Sequence, residues 1–204
     1  MTMMTRRTLG ASAVALLFAA SLAAAQAPQI VRVRATLEDV SAPMLTAKSR
    51  DGAEMKIKLA DNAPVNEVVK ASLSDIKADS YIAVTAMPQP DGTQKAVAIL
   101  IFPEAMRGVG EGHRPWDLEP NSTMTNATVA DQVAGTDGQT VTVKYKDGDK
   151  KILVTPATII VTYKKSTASE LKAGQKIFVA AAKKLDDGTL EAPNVAYGDV
   201  GVWR

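Results

Sequence analysis

Apolar and polar residues alternate in short runs along most of this chain. Val31, Val33, Ala35 and Leu37 alternate with Arg32, Arg34, Thr36 and Glu38. Met55, Ile57 and Leu59 alternate with Lys56 and Lys58, and Val141 and Val143 with Thr142 and Lys144. A period of two is that of a strand with one face on a core and the other in water. Asp-Gly pairs at 51–52, 91–92, 137–138, 147–148 and 187–188 fall between such runs, and this dipeptide favours the positive backbone angles of tight hairpin turns. Asp147-Gly148-Asp149 lacks the spaced ligands and terminal glutamate of a calcium loop. Helical spacing is confined to Val65–Leu73, where Val65, Val68, Val69 and Leu73 share one side. The matching stretch later in the chain, with Ile159, Ile160, Val161 and Tyr163, favours strand. The expectation there is a short or irregular connector.

The pattern occurs twice. Lys48-Ser49-Arg50-Asp51-Gly52 matches Lys144-Tyr145-Lys146-Asp147-Gly148, and Ser74-Asp75-Ile76-Lys77-Ala78 matches Ser169-Glu170-Leu171-Lys172-Ala173. Ile82-Ala83-Val84 corresponds to Ile177-Phe178-Val179, Asp91-Gly92-Thr93 to Asp187-Gly188-Thr189, and Ala35-Thr36-Leu37 to Ala127-Thr128-Val129. Five matches in one order at offsets of 92 to 96 residues describe a tandem duplication. The expected organisation is a repeat at 29–102, an ordered Gly/Pro/Trp linker at 103–121 and a repeat at 122–200. About five strands, close hairpins and one connector per repeat predict an all-β protein of two tandem small β-barrels.

Residues 1–25 read as a signal peptide. Arg6 and Arg7 precede a short apolar run that ends in Ala23-Ala24-Ala25, as small-residue cleavage requires. The run is too short for a comfortable membrane span, so no transmembrane segment is expected after cleavage. Thr5-Arg6-Arg7-Thr8-Leu9 resembles a twin-arginine signal, but Gly10 stands where that pattern prefers a large apolar residue, and the general secretory route is favoured. The expected location is periplasmic or secreted. Loss of Arg6 and Arg7 leaves 22 basic against 22 acidic residues. A basic footprint for nucleic acid is therefore missing, as is an electrostatic attraction to anionic membranes. The chain has no cysteine, which excludes thiolate nucleophiles, thiolate metal sites and haem attachment.

The order of strand, Asp-Gly turn, strand, Ile/Leu-Lys-Ala turn, strand, Asp-Gly-Thr turn and final strand resembles a family of exported bacterial domains of unknown function. Those domains are similar to small barrels of the oligonucleotide/oligosaccharide-binding type and often occur in tandem. The resemblance covers both halves, including Ser74 to Val84 and Ser169 to Val179. Asp79 replaces the usual glycine of one turn, and Gly174 keeps it in the other. The linker Ile101 to Gly108, with Gly110 to Asp117, also resembles a motif shared by full-length relatives. The resemblance implies fold and export, and no reaction. Such barrels can bind nucleic acid, but that needs a basic groove and stacking aromatics; aromatics are 4% of this chain.

The linker concentrates the candidate chemistry. Its glycines at 108, 110 and 112 have neither the spacing nor the following helix of a dinucleotide loop, and no Gly-Lys-Ser/Thr follows them. His113 is the only histidine. With Asp117 and Ser122 it has the residue types of a hydrolase, and Glu104, Glu111, Asp117 and Glu119 supply carboxylates, but no nucleophile elbow or oxyanion hole is recognisable. Met106, Glu111, His113, Asp117 and Met124 are the candidate ligands for a metal. The structural alternative has Trp116 and Leu118 plugging a groove between barrels, with Arg107 and Arg114 paired to Glu111 and Asp117. The triplets beginning at Asn121 and Asn126 match glycosylation sequons and are expected to cap turns and start the next barrel. The expectation is a binding or scaffolding module without cofactor or catalytic residues. Arg107, Glu111, His113, Arg114, Trp116 and Asp117 form its surface, and its partner is an envelope protein, a glycan or a small molecule. A metal-binding protein is the second reading and a linker-centred hydrolase the third.

Overall fold

The computed structural model describes residues 28–135 and 138–202. The expected leader and Asp137 of one expected turn lie outside them. Six strands precede the linker: β1 (Ile30–Ser41), β2 (Met44–Ser49), β3 (Glu54–Leu59), β4 (Val65–Lys70), β5 (Tyr81–Pro88) and β6 (Gln94–Ile101). The linker contributes β7 (Gly112–Pro115). Then come β8 (Thr123–Gly135), β9 (Gly138–Tyr145), β10 (Gly148–Val154), β11 (Ile159–Ser166), β12 (Lys176–Lys184), β13 (Leu190–Ala192) and β14 (Val195–Tyr197). Helical structure among the described residues is limited to three single 3-10 turns, so the chain is all-β as its alternation predicts.

The ladders close two five-stranded barrels. In ring A, β1, β2 and β3 are successive antiparallel neighbours, β3 runs parallel to β13, β13 antiparallel to β12, and β12 antiparallel to β1. In ring B, β8, β9 and β10 repeat the meander, β10 runs parallel to β6, β6 antiparallel to β5, and β5 antiparallel to β8. Each ring takes three strands from one sequence half and two from the other. These ladders correct the expectation that each half closes its own barrel. The exchange is reciprocal: Ala35 stands opposite Ile177 in ring A, and its counterpart Ala127 stands opposite Ile82 in ring B.

The physical reason is β4. The segment expected as an irregular connector is a strand, its valines favouring the extended form. It pairs antiparallel with β11, Val65 opposite Ser166 and Lys70 opposite Val161. Six extended residues span about 20 Å, against about 9 Å for six helical ones. The chain leaving β3 is thus carried off its own ring, and the β5–β6 hairpin is delivered to ring B. β11 carries β12 and β13 the opposite way. One repeat offset of 96 residues takes Val65 to Val161 and Lys70 to Ser166. The β4–β11 ladder therefore maps onto itself, the pairing of an isologous interface within one chain.

The turns match across the repeats. The Asp91 and Asp187 carboxylates each accept the backbone N–H of the following threonine, Thr93 or Thr189, at 2.9 Å. Asp79 and Gly174, the residues that differ at one turn, both take positive φ, 65° and 86°. Each donates its N–H to the first strand of the other repeat: Asp79 to the Val129 carbonyl at 2.9 Å and Gly174 to that of Leu37 at 2.8 Å.

Ring A is filled around Leu37, Leu45, Ile57 and Ile177, and ring B around Ile82, Ile99, Val141 and Ile152. A third cluster, including Val68, Val161, Phe178 and Val202, lies between the rings. It explains why β5 is buried without a break from Tyr81 to Ala86. Ile82 and Val84 fill ring B, while Ala83 and Thr85 face the space between the rings.

Candidate functional site: the cleft between the rings

The outer faces of both rings and the linker enclose a cleft of about 620 Å³. Leu100 of β6, Met124 of β8, Tyr163 of β11 and Phe178 of β12 line it, with Phe102 just after β6 and Trp116 from the linker. A smaller apolar extension of about 80 Å³ continues past Trp116 to Leu118 and Arg34. Phe102 bridges two tyrosines, with ring centroids 5.4 Å from Tyr81 and 6.2 Å from Tyr163. Burial pushes the Tyr163 hydroxyl up to about 12, so it remains a neutral wall of the cleft at any ordinary pH.

The linker forms one rim. β7 pairs antiparallel with β8, so the linker expected at 103–121 is partly strand. The turn before it is pinned by its carbonyls. Val109 O accepts from Tyr81 Oη at 3.2 Å and from Asn126 Nδ2 at 2.9 Å, and Gly110 O accepts from Arg114 Nη1 at 2.8 Å. Gly110 has a φ of 60°, and a β-carbon there would stand 3.1 Å from Asn126 Nδ2 and 3.4 Å from Arg114 Nη2. Glycine at this position permits the close approach.

Beyond β7 the linker crosses to ring A. Asp117 accepts from Arg32 Nη1 at 2.6 Å and Arg34 Nη2 at 2.8 Å. Arg32 lies over the Trp116 ring at 3.7 Å, close enough for cation–π attraction. Desolvation raises the Asp117 pKa, but the hydrogen bonds from Arg34 and Arg32, and their charges, outweigh it and hold it at about 2. This geometry corrects the expected ion pairs. Asp117 takes two arginines of β1. Arg107 pairs with Glu104 and donates to the Asp79 carbonyl, and Glu111 accepts from the Lys146 N–H. The reason is direction: Trp116 and Asp117 turn off the β7 ladder toward β1, leaving Arg114 beside Gly110 on the cleft.

Cross-strand partners share a face of a sheet, and this separates the candidate metal ligands. His113 pairs with Thr125 and Arg114 with Met124, so His113 and Met124 lie on opposite faces. His113 Nδ1 is 2.8 Å from Thr125 Oγ1, and its ring stacks on Tyr145 with centroids 6.5 Å apart. Burial, then the charges of Lys150 and Arg114, lower its pKa. Met106 lines the cleft with Met124, while Glu111 and Asp117 are engaged as described. The set Met106, Glu111, His113, Asp117 and Met124 is therefore not assembled. Among the described residues no group of three or more His, Cys, Asp or Glu is placed to hold a metal.

The third reading also lacks its constellation. The Ser122 hydroxyl donates to the Trp116 carbonyl at 3.3 Å, while His113 faces Thr125 and Asp117 faces the arginines. Asn121 lies at a turn with φ 63°. Asn126 is in β8, the strand that begins the second meander, and is 5% exposed; it caps no turn, which corrects that part of the expectation.

Residues of the site that were not singled out from the sequence include Arg34, Leu100, Phe102, Asn126, Tyr163 and Phe178. A signal for the last was available, because Ile177-Phe178-Val179 is apolar at every position, the mark of a strand covered on both faces.

The fold and cleft define a class, an all-β protein of five-stranded barrels with an apolar cleft between them. Comparison of the chain with protein-family models, with curated proteins and with solved structures gives no match. No helix among the described residues is long and apolar enough to cross a membrane.

Proposed function

We propose that the protein is an exported binding module whose ligand lies in the cleft between the rings. The observation that carries this reading is the cleft itself. Its volume falls in the range of small-molecule sites, its wall is mainly apolar and aromatic, and a few polar groups converge at one rim. Both rings and the linker contribute to it, which gives the linker residues Trp116 and Arg114 a role that joining two barrels would not require.

The test is binding of a neutral apolar probe, N-phenyl-1-naphthylamine, followed by its fluorescence. Ala180 lines the cleft from an exposed position on β12, so Ala180→Phe fills space without disturbing a core. The expected result is saturable binding to the wild type, weakened in Ala180→Phe at unchanged thermal stability. Absence of saturable binding to the wild type, or equal binding to both proteins, would overturn the reading.

A further inference from the structure

We propose that the ligand of this cleft is a single-tailed amphipathic carboxylate, its head at Arg114 and Asn126 and its tail along Leu100 and Phe178. This rests on the cleft being the binding site and adds the ligand's chemical class.

The charge of the wall is one-sided. Arg114 and Lys165 line the cleft, and no aspartate or glutamate does among the described residues. Arg114 spends one N–H on the Gly110 carbonyl, and no ion pair with a described acid engages its guanidinium within 4.0 Å. Its pKa is lowered, by burial first and then by Arg32, the condition in which an incoming anion is most welcome. A guanidinium at the edge of an apolar cleft presents a planar donor array suited to a carboxylate.

A second observation concerns Asn126. Its Nδ2 is committed to the Val109 carbonyl, while its Oδ1 is buried without a hydrogen-bond partner. Buried polar atoms are nearly always paired, so this oxygen calls for a donor. The amide and the Arg114 guanidinium are neighbours, both reaching the same point beside Gly110. Oδ1 is sealed from solvent, so a ligand donor reaches it only with a small rotation of the amide. With that shift, a head with a carboxylate and an adjacent O–H or N–H satisfies both, as a hydroxy fatty acid or an N-acyl amino acid does. The rest of the cleft is mainly apolar, its other polar side chains being Lys165, Ser166 and the asparagines at its edge, with the neutral Tyr163 hydroxyl and the Trp116 N–H.

The experiment is displacement of N-phenyl-1-naphthylamine from the full protein by four twelve-carbon competitors below their micelle concentrations. These are dodecanoate, 3-hydroxydodecanoate, dodecanol and dodecyltrimethylammonium. Dodecanoate is expected to bind about tenfold more tightly than dodecanol, the worth of one charge-assisted hydrogen-bonded contact. The 3-hydroxy acid should bind more tightly still, and the cation least well. Arg114→Gln should abolish the preference for dodecanoate over dodecanol, and Arg114→Lys should restore part of it. The wild-type preference for dodecanoate should also shrink as salt rises, a readout that needs no variant to fold. Equal affinity for dodecanoate and dodecanol overturns the carboxylate and leaves the cleft standing. Failure of all four to displace a bound probe overturns the ligand class. Failure of the probe itself to bind overturns the cleft reading instead.

Discussion

Asp117, in the segment that joins the repeats, holds Arg34 of the first strand at 2.8 Å. The pair is uneven. The Arg34 side chain is 8% exposed and that of Asp117 47%, so the arginine is the more deeply buried partner. Because β7 is laddered to ring B and Arg34 belongs to ring A, this contact fixes the linker to both rings.

Asp117→Asn leaves Arg34 buried without a counter-charge. With the carboxylate half-exposed, the expected loss is about 1 kcal/mol in chemical denaturation, less than for a fully buried pair. The pH dependence has a definite sign. The folded pKa of Asp117 is about 2, below its ordinary 3.8. Its contribution is therefore complete above about pH 4 and is lost as pH falls through 2. Melting temperature followed from pH 5 to 2 should fall more steeply for wild type than for Asp117→Asn.

His113 gives a single imidazole resonance, since the chain has one histidine. Its midpoint by NMR should lie below 6.5, because burial and then Lys150 and Arg114 disfavour the charged ring. A depressed pKa means that its contribution is present above about pH 6.5 and is lost as pH falls through the folded value. Thr125→Val removes the hydroxyl partner and should destabilise by about 1 kcal/mol. A midpoint at or above 6.5 would contradict the described environment.

The exchanged strands can be tested through their cores. Ile177 and Ile82 are both fully buried, and truncating either to alanine should cost about 3 kcal/mol. Ile177→Ala should weaken hydrogen-exchange protection in β1–β3, and Ile82→Ala in β8–β10. Barrels closed within each half would give the reverse assignment.

A fragment test follows from the same ladders. Residues 72–156 contain β5 to β10 and so all five strands of ring B. This fragment should show dispersed amide resonances and cooperative melting. Residues 29–102, the first repeat by sequence, should show neither, because they hold only three strands of ring A and two of ring B.

How far the sequence carried is visible in these elements. Alternation and Asp-Gly turns marked β1, β3 and β9 because each has one face on a ring core and a hairpin beside it. The matched segments were readable because they are written in residues. The exchange was not, and the reason lies in the repeat itself: Ile82-Ala83-Val84 and Ile177-Phe178-Val179 fit the same ladder position, so either hairpin satisfies either ring. Local hairpins such as β5–β6 are identical in both arrangements. Only the extended state of Val65–Lys70 distinguishes them, and its valines also suit one face of a helix. Trp116 and Arg114 were singled out by composition and do line the cleft. Their neighbour Arg34 looked like an ordinary outward-facing strand residue and Asn126 like a turn residue, and their burial depends on the returning linker and the other ring, which no local pattern announces.

Ring B occupies one unbroken stretch of chain, whereas ring A needs its first three strands to wait for β12 and β13. During synthesis, β1–β3 therefore exist for a time as a meander with two open edges, a template for pairing with other copies of the chain. The outward positions of those edges are Arg32 and Arg34 on β1 and Lys56 and Lys58 on β3. Positive charge on an unpaired edge repels a like strand. The arginines that grip Asp117 in the closed ring are thus the same ones that put like charge on the β1 edge before β12 covers it.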